Sequence, residues 1–517
     1  MARLARKSFL IHALKSLLGT LLLVAAPTGV AALNIGGVTL HSFFPLPRSR
    51  ADAADVTKLS PMALKNLRLR LASIRWLIID ELGMVGQKLL GMIDALLRLV
   101  LDRPDVPFGG LYVLIFGDHG QLPPVQDFRM FDTRGLIASD GRVLPKANRW
   151  RLRGLRAYQS ITDVGSYPGA HVFFLTCIQR VTSGKSAEES ALLEAFKEIQ
   201  LRLRDGELTH DDCSWLRKHC SFDANQAYLA RATPYNLVAT RAQRDTVNAE
   251  HLLEKLNEGQ PGFVNDAINN NAKAQNALES ELQLPNRLHL CRGARIMVRK
   301  NLSVALGVVN GLLGDDYDLL VDSHGVLAAV SMVVKRAPPG IPGYRGPSFL
   351  SPAEAPDIDH ESFALITFGW YSETHALDTT CSRKQIPAIL ASAVTIHKSQ
   401  GLTLDAVICD PDDDERSAGL TFTASTRTTH PGHLALRHSD GTFPSDERLM
   451  EVIASKPDLQ YRKLHDQHLR VQAVLSARKL LQSHKLQPPP SALTVPDAVE
   501  PTAPSSRAAR LAPARRG

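Results

Sequence analysis

The stretch 76–125 constrains the fold more than any other. It opens with Trp76-Leu77-Ile78-Ile79, four apolar residues that run directly into Asp80-Glu81. A short, unbroken apolar run suits a strand buried on both faces of a parallel sheet. A second such run, 111–116, ends in Gly117-Asp118-His119-Gly120-Gln121-Leu122-Pro123-Pro124-Val125. Between the two, 87–101 repeats Leu and Ile at helical spacing. Strand, helix and strand in this order predict an α/β, doubly wound fold. The carboxylate pair then falls at the C-terminal edge of the sheet, where such sheets bind ligands.

The chemistry that fits is nucleotide hydrolysis. Asp80 would hold Mg²⁺ through water, Glu81 would polarise the attacking water, and Gln121 would sense the γ-phosphate from the neighbouring strand end. Phosphoryl transfer asks a protein mainly to position groups and stabilise charge. Taken alone, Asp-Glu after an apolar run is common in strands with no catalytic role. The second strand ending in Gly-Asp, with a Gln close behind, is what sharpens the reading.

Composition narrows the remaining classes. The chain of 517 residues has room for two to four domains. Its 44% hydrophobic and 22% charged residues are ordinary for a globular protein. A net charge of +8 is a mild basic excess, compatible with a polyanionic partner. Its six cysteines form no C-x-x-C pair, which leaves a zinc site unsupported and suits free thiols in a reducing compartment. No apolar run reaches the roughly 18 residues of a membrane span.

The N-terminus has two readings. Arg3, Arg6 and Lys7 ahead of an apolar stretch at 17–27 fit a signal or transit peptide. The preferred alternative is a helix over 7–18 and a buried strand over 20–26. Further on, 45–65 reads as a loop, 126–169 as irregular and 171–176 as a strand. An amphipathic helix is expected over 189–204, an exposed insertion over 257–277 and a helix over 460–485. The Pro-, Ala- and Arg-rich 487–517 is expected to be disordered.

Four segments together resemble a known family. LIIDELGMV at 77–85 and GDHGQLPPV at 117–125 are accompanied by APTGVAALNIGGVTLHSFF at 26–44 and ASAVTIHKSQGLTLDAVICD at 391–410. In content and order these resemble motifs of the petite-integration-frequency (Pif) DNA helicases, RecD-like enzymes of superfamily 1B. A Helitron-type or truncated copy falls within the same resemblance. RLRDGELT at 202–209 also resembles the family, as do Asn301, Asn310 and Gly311 within 288–314.

The resemblance implies two RecA-like P-loop NTPase domains with a small β-rich inserted domain. It divides the chain into a first RecA-like domain at 1–165, with a small wedge about 45–70, and a second beginning at 166–256. An insertion then spans 257–385, the second domain resumes at 386–450, and a C-terminal helical segment occupies 451–486. ATP and Mg²⁺ are the implied cofactors. Lys7 and Ser8 would bind the nucleotide, with Ser8 and Asp80 on the metal. Glu81, Asp80, Gln121, Arg180 and Arg427 would serve catalysis, Arg427 as an arginine finger in cis. Pro27, Thr28, Gly29, His41, His397, Lys398, Ser399 and Gln400 would contact single-stranded DNA.

The implied function is 5′-to-3′ translocation on single-stranded DNA and at duplex junctions, driven by ATP hydrolysis. Roles in DNA repair, recombination and telomere maintenance, and an intracellular location (nucleus or mitochondrion in a eukaryote), come from the same resemblance. Two departures stand out. Residues 1–6 contain no glycine where the family has a glycine-rich phosphate loop, and Thr426 precedes Arg427 where the family has Ser. They support an alternative: a degenerate remnant that binds nucleic acid with little turnover. The chain as written is expected to hydrolyse ATP slowly.

Overall fold

The structure, a computed structural model, describes residues 6–47, 55–175, 184, 186–337, 344–375, 380–411, 419–438, 440–454 and 457–484. Helix α1 (Arg6–Leu18) leads into strand β1 (Leu22–Ala26), followed by the short helix α2 (Gly29–Asn34) and strand β2 (Val38–Thr39). Strands β3 (Trp76–Ile79) and β4 (Tyr112–Ile115) flank helix α3 (Gln87–Val100). The four strands form one sheet in the order β2-β1-β3-β4. Every pairing in it is parallel, with Leu22 opposite Trp76 and Trp76 opposite Tyr112. Leu77, Ile78 and Ile79 are fully buried, as expected of a strand covered on both faces.

Helix α4 (Arg149–Thr162) packs across α3. The two backbones approach so closely that only glycine fits at the crossing. A Cβ on Gly91 would stand 2.1 Å from the Trp150 carbonyl oxygen, and one on Gly154 would stand 1.9 Å from that of Gln87.

A second parallel sheet is built from β5 (Tyr235–Val238), β6 (Ala393–Thr395), β7 (Val407–Cys409) and β8 (Leu434–Leu436), in the order β6-β5-β7-β8. Its core includes Leu193, Phe196, Ile199 and Leu203 of helix α5 (Ala187–Asp205). Between β5 and β6 the chain leaves to form an antiparallel five-stranded sheet of Arg295–Val298, Leu313–Val321, Leu327–Lys335, Phe363–Gly369 and Ala388–Leu390. That unit has its own core around Val330, Met332 and Ile366. A last long helix, α6 (Pro457–His484), follows the second sheet.

Four local expectations are corrected. A helix, Pro61–Leu71, begins inside the segment read as a loop; Ser60 caps it and Pro61 occupies its first turn. The segment read as irregular contains α4, whose cap is Asn148. Residues 171–175 form no strand: Phe173, Phe174 and Leu175 stay exposed, without a sheet partner to take up their backbone groups. The presumed insertion at 257–277 instead supplies strands Gly262–Asp266 and Ile268–Asn269 and a helix, Ala272–Asn276. Pairing with distant segments at 287–291 and 382–385 ordered it.

Among the described residues no helix is long and apolar enough to cross a membrane. Cys213, Cys220, Cys291, Cys381 and Cys409 are buried free thiols. Residues 1–5, which carry the phosphate-loop expectation, and the tail at 487–517 lie outside the described residues.

Candidate functional site

The backbone delivers the two carboxylates to one point. The Asp80 amide still donates to the Ala25 carbonyl of β1, at 3.0 Å, as the ladder would continue. Glu81 then leaves it with φ 55° and ψ 54°, left-handed values that a residue with a Cβ adopts rarely. Such strain costs of order 1–3 kcal/mol and gathers at functional sites. The Leu82 amide resumes bonding, to the Phe116 carbonyl beyond β4, at 2.9 Å.

Lys7, in the first turn of α1, reaches this edge. Its Nζ lies 2.9 Å from Asp80 Oδ1 and 2.8 Å from Glu81 Oε1. Burial pulls the Lys7 pKa down, but the Glu81 and Asp80 charges outweigh it and hold the ammonium above its usual value. Burial, and after it the neighbouring Glu81 charge, pushes Asp80 upward against the pull of Lys7. Asp80 Oδ1 is buried with the Lys7 ammonium as its ion-pair partner. Two adjacent carboxylates at a sheet edge fit Mg²⁺, which prefers hard oxygen donors. Asp80 and the Ser8 hydroxyl, next to Lys7 on α1, are the residues that would hold it. Among the described residues no cluster of three or more ligating side chains exists, so any such ion depends on water and phosphate for its remaining ligands.

Gln121 sits on a tight turn beyond β4. Its amide donates to the Asp118 carbonyl at 3.3 Å, and Asp118 Oδ1 accepts from the Gly120 amide at 2.8 Å. The Arg204 guanidinium of α5 grips the Asp118 carboxylate at 2.8 Å. Burial works to raise the Asp118 pKa, yet Arg204 overrides it and holds the carboxyl below its ordinary value. Arg427 is only 1% exposed. It donates to the carbonyls of Thr423 (2.8 Å), Ser399 (3.2 Å) and Leu402 (3.3 Å), so its guanidinium also ties together the 399–402 turn. Arg180 lies outside the described residues.

A second locus joins three segments far apart in sequence. Thr28 Oγ1 caps α2 by accepting from the Ala31 amide at 3.2 Å. Gly29 lies against the inserted unit: a Cβ there would be 2.6 Å from Asn301 Oδ1. Asn34 donates to the Gly401 carbonyl at 2.9 Å, and Lys398 Nζ is 3.5 Å from Asn310 Oδ1. Thus 27–34, 301–311 and 397–401 converge. His397 is half-buried, while Ser399 and Gln400 are buried; Ser399 Oγ turns inward to the Ile396 carbonyl, at 2.8 Å. His41 stands exposed on the short helix Leu40–Phe43, in the first sheet's half of the molecule.

The charge here is mainly positive, although Asp245 pairs with Arg244 and Glu279 acts on Arg299. Lys398 is exposed, yet the protein packed around it, and then Arg299, Arg241 and Arg244, lower its pKa to about 8. Arg299 Nε is buried without a partner. Cations held together at such a cost suit a phosphate backbone. The sequence reading passed over Arg241, Arg244 and Arg299. For the first two a signal existed: they open a helix (Arg241–Asn257), capped by Thr240, just past β5. For Arg299 no local signal existed.

Comparison with known proteins finds one family likeness in sequence and in fold. The sequence model of the PIF1-like helicase family matches residues 5–130. The chain is 29% identical over 407 residues to the ATP-dependent DNA helicase PIF1 of Mus musculus, covering 78% of this chain and 51% of that protein. It is 28% identical over 412 residues to the PIF1 helicase of Homo sapiens, covering 78% and 52%. The chain therefore spans about half the length of the curated relatives it matches.

Among solved structures, Bacteroides Pif1 in complex with ADP-AlF3 and single-stranded DNA superposes with a TM-score of 0.56 at 25% identity, over 86% of this chain and 90% of that one. A Pif1 structure concerned with DNA unwinding at forked duplexes gives 0.57 at 25% identity, over 89% and 91%. The Candida albicans Pif1 helicase, at 22% identity and a TM-score of 0.59, shares the fold. The resemblance to the Pif helicases thus holds in sequence and in fold, and the architecture is α/β with two RecA-like domains.

Proposed function

We propose that the chain is an ATP-dependent DNA helicase that couples ATP hydrolysis to 5′-to-3′ movement on single-stranded DNA. The observation that carries this reading is the Lys7 ammonium held 2.9 Å from Asp80 and 2.8 Å from Glu81 at the C-terminal edge of a parallel sheet. In this reading Lys7 exchanges its carboxylate partners for the β- and γ-phosphates, freeing Glu81 to accept a proton from the attacking water. Gln121 senses the γ-phosphate, and Arg427, with Arg180, meets it from the second domain. Mg²⁺ at Asp80 and Ser8 would neutralise phosphate charge. The mainly basic cluster of Lys398, Arg299, Arg241 and Arg244 supports a polyanion beside 27–34 and 397–401.

The domains in this reading are 1–165 (wedge about 45–70), 166–256 with 386–450, the insertion 257–385, and the C-terminal segments 451–486 and 487–517. Duplex junctions as substrates, roles in repair, recombination and telomere maintenance, and an intracellular site of action rest on the family resemblance rather than on any residue here.

The test is DNA-stimulated ATPase of the chain and of Glu81→Gln, with nucleotide affinity measured alongside. Loss of a general base costs about 10²–10⁴-fold in rate. We expect that loss with nucleotide affinity retained. Near-normal turnover in Glu81→Gln would remove Glu81 from the mechanism, and absence of turnover in the unmodified chain would remove the reaction. Duplexes with only a 5′ or only a 3′ single-stranded tail then read direction.

A further inference from the structure

The Gln121 turn is held from the other half of the molecule. Besides the 2.8 Å contact from Nη2, Arg204 Nε lies 3.1 Å from Asp118 Oδ1, so two arms of the guanidinium reach one carboxylate. The stem of Arg204 lies across Gly120, where an added Cβ would come within 2.3 Å of Nε. Leu122, immediately after Gln121, is fully buried in the core of the second sheet. On the other side, Arg129 Nη1 donates to the carbonyls of His119 at 2.8 Å and Gln121 at 3.4 Å.

Arg204 is itself fixed by two further carboxylates, Asp466 of α6 at 2.8 Å and Asp205 at 2.7 Å. Asp205 also accepts from Arg462 of α6, at 2.8 Å. Helix α6 then crosses to the first RecA-like domain. His465 Nε2 and His119 Nε2 each lie 3.0 Å from the Tyr158 hydroxyl. Burial keeps both imidazoles neutral, so the hydroxyl donates to one ring and accepts from the other, and the two rings carry opposite Nε2 protonation. Tyr461 reaches the Thr133 amide at 3.1 Å.

We infer that Arg204, steadied by Asp466 of the C-terminal helix, is a positioning residue that sets the Gln121 turn from the second domain. The inference rests on the reading of 80–121 as a nucleotide site. A two-armed arginine–carboxylate pair is directional, so it transmits position as well as attraction. Movement of α5 relative to the first sheet must drag Asp118, and with it Gln121, or break the pair. Helix α6, bonded to both sides, sets which happens. A C-terminal helix that looks peripheral in sequence thereby becomes part of the link between domain movement and the γ-phosphate.

The experiment uses the full chain and hydrogen–deuterium exchange, read separately for peptides covering 117–125 and for the remote hairpin 313–335. Arg204→Ala should speed exchange at 117–125 by about 10-fold or more and leave 313–335 unchanged; Arg204→Lys and Asp466→Asn should do so less. In DNA-stimulated ATPase the same variants should lower kcat with KM for ATP unchanged, in the same order. Unchanged exchange at 117–125, or faster exchange there with full kcat, would overturn the inference. Should Arg204→Ala loosen both regions together, it has unfolded, and the two milder variants decide. Failure of the unmodified chain to hydrolyse ATP would refute the nucleotide reading instead, leaving exchange at 117–125 to judge the contact.

Discussion

Lys398 is the residue whose chemistry is most exposed to test. Its pKa of about 8 means that it loses its charge near pH 8, where an ordinary lysine is fully protonated. A phosphate beside it favours the ammonium. Binding of DNA above pH 8 must therefore take up a proton, and affinity must fall as pH rises. Between pH 7 and 9 the charged fraction of free Lys398 drops from about nine tenths to about one tenth. We expect single-stranded DNA affinity to weaken across that window by less than about tenfold per pH unit, because Lys398 is exposed and solvent screens the arginines beside it. Arg does not titrate there, so Lys398→Arg should flatten the profile. Parallel profiles for the two proteins would show that Lys398 does not touch the phosphate. Asp80, Glu81 and Gln121 were readable as a candidate site because strand, carboxylates and turn lie close together in sequence. The shift on Lys398 was not legible, since Arg299 and Arg241 approach it only in the folded chain.

At the scale of elements, the α3–α4 crossing makes a prediction of its own. Alanine is the better helix former by about 1 kcal/mol, so Gly154→Ala would stabilise an isolated helix. In the folded protein its Cβ would meet the Gln87 carbonyl at 1.9 Å, and backbone cannot swing away as a side chain can. Overpacking of this kind typically costs about 1–3 kcal/mol. A urea unfolding midpoint lowered by that amount, at unchanged slope, is expected; an unchanged or higher midpoint would mean that the crossing relaxes freely. Helix α3 is also capped at a distance: Asp127 Oδ2 accepts from the Lys88 amide at 2.9 Å. Asp127→Ala should cost about 1 kcal/mol in the same assay, the usual value of a lost cap, and a loss below about 0.3 kcal/mol would assign the capping to water. Periodicity revealed α3, whereas α4, richer in Arg, was missed until its partner was known.

The whole molecule brings 27–34, 301–311 and 397–401 to one face and places the arginines of another helix beside them. Binding there should depend on charge and not on base sequence. Each phosphate contact on a single strand contributes about 0.7 to the slope of log K against log salt. Replacing Arg241, Arg244 and Lys398 together by Gln should therefore make that slope shallower by about 2 and weaken homopolymers of every base alike. A loss confined to some sequences, or an unchanged slope, would move the DNA path elsewhere.

The sequence by itself determined what depends on neighbours along the chain. Four apolar residues followed by two carboxylates dictated a buried parallel strand with acids at its end, and helical spacing dictated α3 and α5. Caps such as Ser60 and Asn148 were written there too, though they became plain only afterwards. Tertiary structure alone decided which charges meet. Arg204 and Asp466 are 262 positions apart, and no period or motif relates them. Their pairing depends on how α5 and α6 pack, a balance of buried apolar area and ion-pair geometry summed over both domains. Strand partners were settled in the same way. The apolar 171–175 found no edge to join, and the mixed 262–269 found two, because a strand needs a ladder as well as a sequence that tolerates one.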